Sequence, residues 1–256
     1  MRKSSALGFA NQEFTRPPEA CSKWNMDDYV IEPPPRAALA VVGERRAFPI
    51  RRTFCVGKNY ADHVREMGGD ERKGTPIFFA KPADALVANG TAIAYPSNTA
   101  DLHHEVEMVL AIGEGGADIA EADALQHIYG YAVGCDLTRR DRQAEAKRAG
   151  APWDVAKGFD QSAPVAPLTP VAACGHLAKG RIWLAVNGAV RQDSDIAEMI
   201  WGAPEIIAHL SRSFALAPGD LIFTGTPSGV GALEVGDVVT GGVEGLSELR
   251  FSIGPR

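Results

Sequence analysis

The 256-residue chain carries a formal net charge of −6, with 23% charged and 45% hydrophobic residues. This composition is typical of a folded, soluble protein of one large or two small domains, and it excludes a disordered or fibrous chain. Because the chain has no block of five or six basic residues, we do not expect nucleic acid as a partner. No apolar run reaches the roughly 20 residues of a membrane helix, and the first residues lack a signal-peptide core, so we expect no membrane partner and a cytoplasmic location.

The four cysteines are widely spaced and include no Cys-x-x-Cys pair. They therefore indicate neither a zinc site nor a redox dithiol. Cys55 and Cys135 fall in apolar, strand-like stretches, where a buried reduced thiol is expected. A reducing compartment agrees with this pattern.

Residues 1–50 show no clear periodicity and contain proline runs at 17–18 and 33–35. We interpret them as an N-terminal arm with one short edge strand over residues 37–42. The main domain is expected to cover residues 51–256.

A strand over residues 48–57 is predicted to lead into a helix of about two turns, capped by Asn59 and ended by Gly68 and Gly69. His63 and Glu66 would share one face of this helix, because residues three apart are neighbours. An imidazole oriented by a carboxylate is a common general base. A surface ion pair is the alternative for an isolated His-x-x-Glu pair.

A second strand, over residues 76–80, runs into Lys81. This lysine could contact an anionic substrate. A solvated lysine before the Pro82 turn is the alternative.

Two carboxylates flank the start of an apolar run, Val106 to Ile112, that is predicted to be a buried strand. Glu105 and Glu107 would share a face, because side chains along a strand repeat with period two. Asp136 ends a second apolar stretch, and if the two strands are neighbours the three carboxylates could converge. Such an all-oxygen set suits Mg²⁺ or Mn²⁺, with positions left for water and substrate. The alternative is that both glutamates lie on solvated faces.

Residues 137–148 have helix-forming composition, with Thr138 or Asp136 as the expected cap and Gly150 as the stop. The segment is nearly all polar, so it could be a mobile flap over a site or a plain solvated helix. Lys157 follows, between aromatic residues, where it could stabilise a carboxylate or enolate.

The last part of the chain is predicted to be mostly strands. Asn187-Gly188 indicates a β-hairpin, and Pro204 begins a predicted helix on which His209 is a surface or packing residue. A loop rich in glycine and hydroxyl groups follows the strand near residue 222 and could let backbone N–H groups approach an anion, although it lacks the P-loop pattern. Two closing strands are expected over residues 235–253.

Taken together, six segments in matching order resemble the fumarylacetoacetate hydrolase family, from about residue 52 to the end. They are Cys55-Val56-Gly57-Lys58-Asn59-Tyr60-Ala61-Asp62-His63, Phe79-Ala80-Lys81-Pro82, His104-Glu105-Val106-Glu107, Gly134-Cys135-Asp136-Leu137-Thr138, Asp154-Val155-Ala156-Lys157-Gly158-Phe159-Asp160, and residues 221–231. The resemblance implies an α+β fold, a mixed β-roll or β-sandwich with few helices, and a homodimer.

The resemblance also implies roles for particular residues. Glu105, Glu107 and Asp136 would hold Mg²⁺ or Mn²⁺, and a dyad of His63 and Glu66 would activate water under a lid. The positions that match substrate-contacting residues of the family are Arg140, Gln143 and Lys157, with Thr226 matching a contact to the substrate carboxylate. Lys58 stands where most relatives have arginine, so it keeps the charge but loses the bidentate fork.

Within the family the chain is most similar to the fumarylpyruvate hydrolases of gentisate breakdown. The implied reaction is metal-dependent hydrolysis of a carbon–carbon bond in a 3-acylpyruvate, giving fumarate and pyruvate from fumarylpyruvate. An oxaloacetate decarboxylase or tautomerase would use the same site without an attacking water. A non-catalytic protein that binds a metal or a dicarboxylate is the alternative from another class.

Overall fold

The computed structural model describes residues 29–66 and 74–256, of which residues 36–256 belong to one folded unit. The predicted features at Pro17-Pro18, at Cys21 and at Gly68-Gly69 lie outside the described residues. None of the helices in the described ranges is both long and apolar enough to cross a membrane. Cys55, Cys135 and Cys174 are free thiols, and the first two are buried.

Short strands dominate the described part of the chain. They are β1 (Ala38–Leu39), β2 (Phe48–Pro49), β3 (Arg52–Gly57), β4 (Ile77–Lys81), β5 (Leu86–Ala88), β6 (Ala92–Ala94), β7 (Leu102–His104), β8 (Val106–Ile112), β9 (Ile128–Cys135), β10 (Thr138–Arg139), β11 (Ala163–Val165), β12 (Thr169–Pro170), β13 (Arg181–Val186), β14 (Ala189–Asp195), β15 (Asp220–Phe223), β16 (Gly231–Leu233), β17 (Val238–Val243) and β18 (Leu249–Gly254).

The helices are few and short, as expected. They are α1 (Ala61–Glu66), α2 (Arg140–Ala149), α3 (Asp154–Lys157), α4 (Val171–Cys174) and α5 (Ala203–Ser211), with single 3₁₀ turns at Ala83–Ala85, Ala124–His127 and Ile196–Glu198. This content confirms the predicted α+β class.

The strands form two large mixed sheets and one small one. The larger sheet has the order β4-β3-β15-β8-β9-β11-β5, with β12 beside β9, and the second has the order β14-β13-β17-β18-β6. A three-stranded sheet, β10-β7-β16, is the small one, and β1 pairs only with β2. The main apolar core joins alternate residues of β8, such as Met108 and Leu110, to Ile182 and Leu184 of β13 in the second sheet.

Strand β8 is buried on both faces. On the face opposite Met108 and Leu110, Val109 and Ala111 pack against Leu221 and Phe223 of β15. Strand β9 runs antiparallel to β8, with Val106 opposite Cys135 and Glu107 opposite Gly134. The predicted neighbourhood of the two strands is therefore confirmed, and it brings Asp136 beside Glu105, whose carbonyl accepts a 2.8 Å hydrogen bond from the Asp136 N–H.

Gly134 has a steric reason to lie opposite Glu107. A Cβ atom there would fall 2.6 Å from Phe223 Cε1 and 2.7 Å from Val109 Cγ2. Real Cβ atoms do not approach other carbons so closely, so only glycine lets β8, β9 and β15 pack at this point.

Two predicted helix caps are wrong. Helix α1 begins at Ala61, and the buried Asn59 side chain instead donates to the carbonyls of Trp201 and Thr224 and accepts from Trp201 N–H. Helix α2 begins at Arg140, after Thr138 has entered β10. Asn59 thus has long-range partners in place of the local cap. The Thr138 hydroxyl donates to the nearby Asp136 carbonyl, and the Asp136 carboxylate is held by two lysines.

Three further local predictions are confirmed, whereas the single strand predicted over residues 48–57 is divided into β2 and β3. The Asn187-Gly188 turn, with φ of 51° and 81°, joins β13 to β14. Helix α5 has Pro204 in its first turn, and α2 ends at Gly150 in the left-handed conformation.

Candidate active site

A single pocket collects the predicted site residues except Glu66, which contacts His63, and Lys81. Strand ends, the turn after β3 and helix α2 supply its walls. The lining residues are Val56, Gly57, Lys58, His63, Phe79, Glu105, Glu107, Asp136, Arg140, Gln143, Lys147, Trp153, Lys157 and Thr226.

Three carboxylates form the floor of this pocket. One oxygen each from Glu105, Glu107 and Asp136 lies within 4.8 Å of the other two, and the residues are only 5%, 1% and 1% exposed. Glu105 is the single residue between β7 and β8, while Asp136 directly follows β9. Buried carboxylates at this separation repel one another unless cations or protons compensate them.

Two of the three carboxylates have protein cations as partners. Lys157 Nζ lies 2.7 Å from Glu105 Oε2 and 2.5 Å from Asp136 Oδ2, and Arg140 Nη2 lies 2.6 Å from Glu105 Oε1. Burial alone would raise the pKa of Glu105, but the charges of Lys157 and Arg140 outweigh it and hold this pKa well below its usual range. Burial disfavours charged Lys157, yet Asp136 and Glu105 raise its pKa above the ordinary value.

Lys81 is the third cation, and neither interpretation of it from the sequence is correct. Its side chain is fully buried, with Nζ 2.8 Å from Asp136 Oδ1, and it donates hydrogen bonds to the carbonyls of Leu137 and Lys157. It does not line the pocket. Lys81 is therefore neither solvated nor a substrate contact, but a support for Asp136 and Lys157.

Glu107 differs from the other two carboxylates because no cation among the described residues forms an ion pair with it. Its Oε2 accepts a 2.6 Å hydrogen bond from Gly225 N–H. Burial, then the charges of Asp136 and Glu105, raise the pKa of Glu107 well above its usual value. A proton or a further cation is needed to compensate this side chain.

The donor set therefore fits a divalent metal. All three ligands are oxygens, as Mg²⁺ and Mn²⁺ prefer. Asp136 Oδ1 is buried and makes no hydrogen bond with the described residues, since its contact with Lys81 is one of charge without hydrogen-bond geometry. These carboxylates can hold such an ion, which would supply the cation that Glu107 lacks.

The predicted dyad is present on helix α1. Glu66 Oε2 lies 3.2 Å from His63 Nδ1, and both oxygens of Glu66 accept from Gly229 N–H at 3.2 Å. A carboxylate acceptor at Nδ1 leaves Nε2 as the basic nitrogen of the neutral ring. Burial lowers the pKa of His63 below its ordinary value, although Glu105 and Glu66 act in the opposite direction.

Helix α2 supplies one wall of the pocket through a single face. Arg140, Gln143 and Lys147 are spaced by three and four residues, the helical repeat, and all line the pocket. Arg140 donates to Gln143 Oε1, Glu105 and His103, so each of its terminal nitrogens has a protein acceptor. The Gln143 amide N–H groups make no hydrogen bond within the described residues.

Lys147 was missed from the sequence, although the repeat from Arg140 and Gln143 could have identified it. Neither Lys147 nor Lys58 forms an ion pair with any described residue. Burial, then the charges of Arg140 and Lys58, lower the pKa of Lys147. Lys58 has a φ of 60°, an uncommon conformation for a residue with a side chain. Two cations that form no ion pair with the described acidic residues thus line the same pocket.

Aromatic side chains line part of the pocket next to these lysines. The rings of Phe79 and Trp153 are 5.7 Å apart. Lys157 Nζ lies 5.1 Å from the Phe79 centroid, and Lys147 Nζ lies 5.5 Å from the Trp153 centroid. Cations held near ring faces gain additional electrostatic stabilisation.

Known proteins resemble this chain over most of its length. Residues 52–253 match the model of the fumarylacetoacetate (FAA) hydrolase C-terminal family. A fumarylpyruvate hydrolase from Ralstonia sp is 44% identical over 179 residues, which is 70% of this chain and 93% of that protein. The mitochondrial oxaloacetate tautomerase of Arabidopsis thaliana is 42% identical over 202 residues, which is 79% of this chain and 90% of that protein.

A solved structure shows the same similarity in three dimensions. Fumarylpyruvate hydrolase from Pseudomonas aeruginosa, in complex with Mn²⁺ and pyruvate, superposes with a TM-score of 0.88 at 47% identity, covering 89% of this chain and all of that one. With the family model matched over most of its length, the chain belongs to the fumarylacetoacetate hydrolase family.

Proposed function

We propose that the protein hydrolyses the carbon–carbon bond of a 3-acylpyruvate, with fumarylpyruvate as substrate and fumarate and pyruvate as products. The observation that carries the proposal is the His63–Glu66 pair, at 3.2 Å, in the same pocket as three convergent carboxylates. Hydrolysis needs a base for water beside the group that polarises the substrate. The similarity to fumarylpyruvate hydrolases supports this choice of substrate.

Each residue then has a defined task. A divalent cation held by Glu105, Glu107 and Asp136 supplies Lewis-acid polarisation of the 2-oxo acid and stabilises negative charge on it. Gln143 and Thr226 bind the substrate's oxygens, while Arg140 fixes Glu105 and Gln143. His63, oriented by Glu66, takes a proton from water through Nε2.

The hydrolysis consumes one water molecule, and His63 carries the proton that the products need. The hydroxide formed adds to the acyl carbonyl, and the bond to the pyruvate methylene carbon breaks. Its electron pair leaves as the pyruvate enolate, whose charge Lys157 helps to neutralise. The proton on His63 passes to the enolate carbon, so that pyruvate leaves and His63 is neutral again. The new carboxylic acid ionises in water.

Two lysines that line the pocket, Lys58 and Lys147, support a dianionic substrate, since neither forms an ion pair within the described part of the chain. Fumarylpyruvate carries a second carboxylate at the end of its acyl group, and a buried or half-buried carboxylate needs a cationic partner. Lys58 and Lys147 line the pocket and are available for this role. We assign the distal carboxylate to them.

Oxaloacetate tautomerisation or decarboxylation is the second candidate, because a tautomerase is 42% identical to this chain. These reactions also need a stabilised enolate, but they need no attacking water. The homodimer and the place in aromatic catabolism stay predictions from the resemblance, and the cytoplasmic location stays a prediction from the sequence pattern.

The function is tested by following the ultraviolet absorbance of fumarylpyruvate, acetylpyruvate and oxaloacetate with Mn²⁺ or Mg²⁺ and then with EDTA. We expect metal-dependent loss of fumarylpyruvate, faster than loss of acetylpyruvate. His63→Ala should reduce this hydrolysis about 100-fold or more, because the water loses its base. Persistence of both acylpyruvates while oxaloacetate is consumed by wild type and H63A alike would instead establish the second candidate.

The metal site is tested by thermal melting of the Glu107→Gln variant. We expect Mn²⁺ at about 100 times its Kd to stabilise the wild type by about 2.7 kcal/mol, a shift of several degrees. The E107Q variant should melt no lower than the wild type without metal, because a buried like charge is removed and the Gly225 bond can remain. Its metal-induced shift should vanish. The exposed variant E121Q is the control, and an unchanged shift in E107Q would exclude Glu107 as a ligand.

The dyad predicts a particular pH dependence. His63 acts in its neutral form, so kcat/KM should fall as the pH drops through a His63 pKa below the ordinary value of about 6.5. Glu66 raises that pKa, so Glu66→Gln should move the acid limb to lower pH and also lower kcat, because the ring loses its orientation. The profile is measured at saturating Mn²⁺ throughout. A limb that moves to higher pH in E66Q would contradict the dyad.

Lys147→Ala tests the distal carboxylate assignment. Loss of a charge-assisted hydrogen bond should raise KM for fumarylpyruvate about 10-fold or more. KM for acetylpyruvate, which lacks the second carboxylate, should change less than about twofold. Arg148→Ala, on the exposed face of the same helix, is the matched control. Equal effects of K147A on both substrates would remove Lys147 from this role.

A further inference from the structure

A buried glutamine outside the pocket is hydrogen-bonded both to a strand and to a loop that border the pocket. Gln192 lies on β14 of the second sheet and is 0% exposed. Its Oε1 accepts from Val106 N–H at 3.1 Å and lies 3.0 Å from His104 Nδ1. Its Nε2 donates to Thr226 Oγ1 at 2.8 Å and to the Pro227 carbonyl at 2.9 Å. The amide thus spans the ligand strand β8 and the loop after β15.

The orientation of this amide is determined by its backbone partners. A backbone N–H can only donate, so the atom facing Val106 must be the oxygen. A carbonyl can only accept, so the atom facing Pro227 must be the nitrogen. Because Nε2 carries two protons, the second is directed to Thr226, and the hydroxyl oxygen must accept it.

This arrangement decides which way the Thr226 proton points. A hydroxyl that accepts from Gln192 turns its own O–H bond elsewhere. No described residue accepts a hydrogen bond from Thr226, whose side chain is 3% exposed and lines the pocket. The hydroxyl is therefore prepared to donate to an acceptor in the pocket, such as a carboxylate oxygen.

The same amide also fixes where that donor lies. Val106 stands between Glu105 and Glu107, so Gln192 links the proposed metal ligands directly to Thr226. A second link runs from Gly225 N–H to Glu107 Oε2. Gly225 has a φ of 95°, and a Cβ there would lie 2.6 Å from the Asn59 Cβ, so no other residue fits.

We propose that Gln192 is a positioning residue that holds the Thr226 hydroxyl as a hydrogen-bond donor toward the carboxylate of the bound 2-oxo acid. The proposal rests on the proposed function only in its choice of ligand, a 2-oxo acid at the metal site. Gln192 itself touches neither substrate nor metal. Its effect on binding passes through Thr226.

The Gln192→Glu substitution keeps the shape of the side chain nearly constant but reverses the direction of its hydrogen bond with Thr226. A carboxylate still accepts from Val106 and His104, but it has no N–H for the Pro227 carbonyl or for Thr226, and it accepts the Thr226 proton instead. The donor then points away from the pocket. Gln192→Met removes the donor without a charge and serves as the second variant if Q192E does not fold.

The experiment is a double-mutant cycle on pyruvate binding to the Mn²⁺-loaded protein, measured by calorimetry without turnover. We expect Q192E and Thr226→Val each to weaken pyruvate binding about 10-fold. The double variant should bind no more than about twofold weaker than T226V alone, because Gln192 acts through the hydroxyl that T226V lacks. Thr226→Ser, which keeps the hydroxyl, should retain the affinity.

Three results would overturn the inference. They are wild-type pyruvate affinity in both Q192E and Q192M, unchanged affinity in T226V, and effects of Q192E and T226V that multiply in the double variant. The Mn²⁺ affinity of each variant is measured in parallel, to separate a specific loss of pyruvate affinity from general damage to the site. Because the readout is pyruvate binding, absence of acylpyruvate hydrolysis would remove the proposed function while leaving this cycle interpretable.

Discussion

The structure depends on the burial of three carboxylates within 4.8 Å of one another. Burial of even one uncompensated carboxylate costs free energy, and the repulsion among three of them adds to that cost. Lys81, Lys157 and Arg140 compensate Glu105 and Asp136, whereas the one hydrogen-bond partner of Glu107 among the described residues is the Gly225 N–H. The three acidic and three basic side chains of this cluster sum to zero, so a bound divalent ion would make the cluster doubly positive.

The surrounding fold keeps this cluster in place through long-range polar contacts. Asn59 ties the turn before helix α1 to the carbonyls of Trp201 and Thr224, and so places His63 relative to the loop after β15. Gly225 and Gln192 tie the same loop to β8. His63, the carboxylates and the Thr226 hydroxyl are thus held to one loop whose backbone conformation needs glycine.

Much of this could be predicted from the sequence because the relevant signals are local or periodic. Side chains of a strand alternate between its faces, so Glu105 and Glu107 were predicted to share one face, and the apolar runs of β8 and β9 predicted that Asp136 would join them. The i, i+3 spacing predicted the His63–Glu66 contact. The caps at Asn59 and Asp136 were wrong because a propensity for local hydrogen bonding carries no information about distant partners. Thr138 is not the cap because it lies in β10 and its hydroxyl donates to the Asp136 carbonyl. Lys81 was misjudged and Gln192 was missed for the same reason, because the neighbouring sequence does not indicate whether a polar residue on a short strand is buried.

The topology around Glu105 has a consequence for how the site can change. Glu105 separates β7 of the small sheet from β8 of the large one, and Asp136 and Leu137 separate β9 from β10 of the small sheet. Both carboxylates therefore stand where the chain passes from one sheet to the other, and the 2.8 Å hydrogen bond from Asp136 N–H to the Glu105 carbonyl joins the two crossings. This bond continues the antiparallel pairing of β8 and β9, so the carboxylate pair and the junction between the sheets share the same backbone hydrogen bonds. A substitution that disturbs this pairing would therefore change the carboxylate spacing and the sheet junction together.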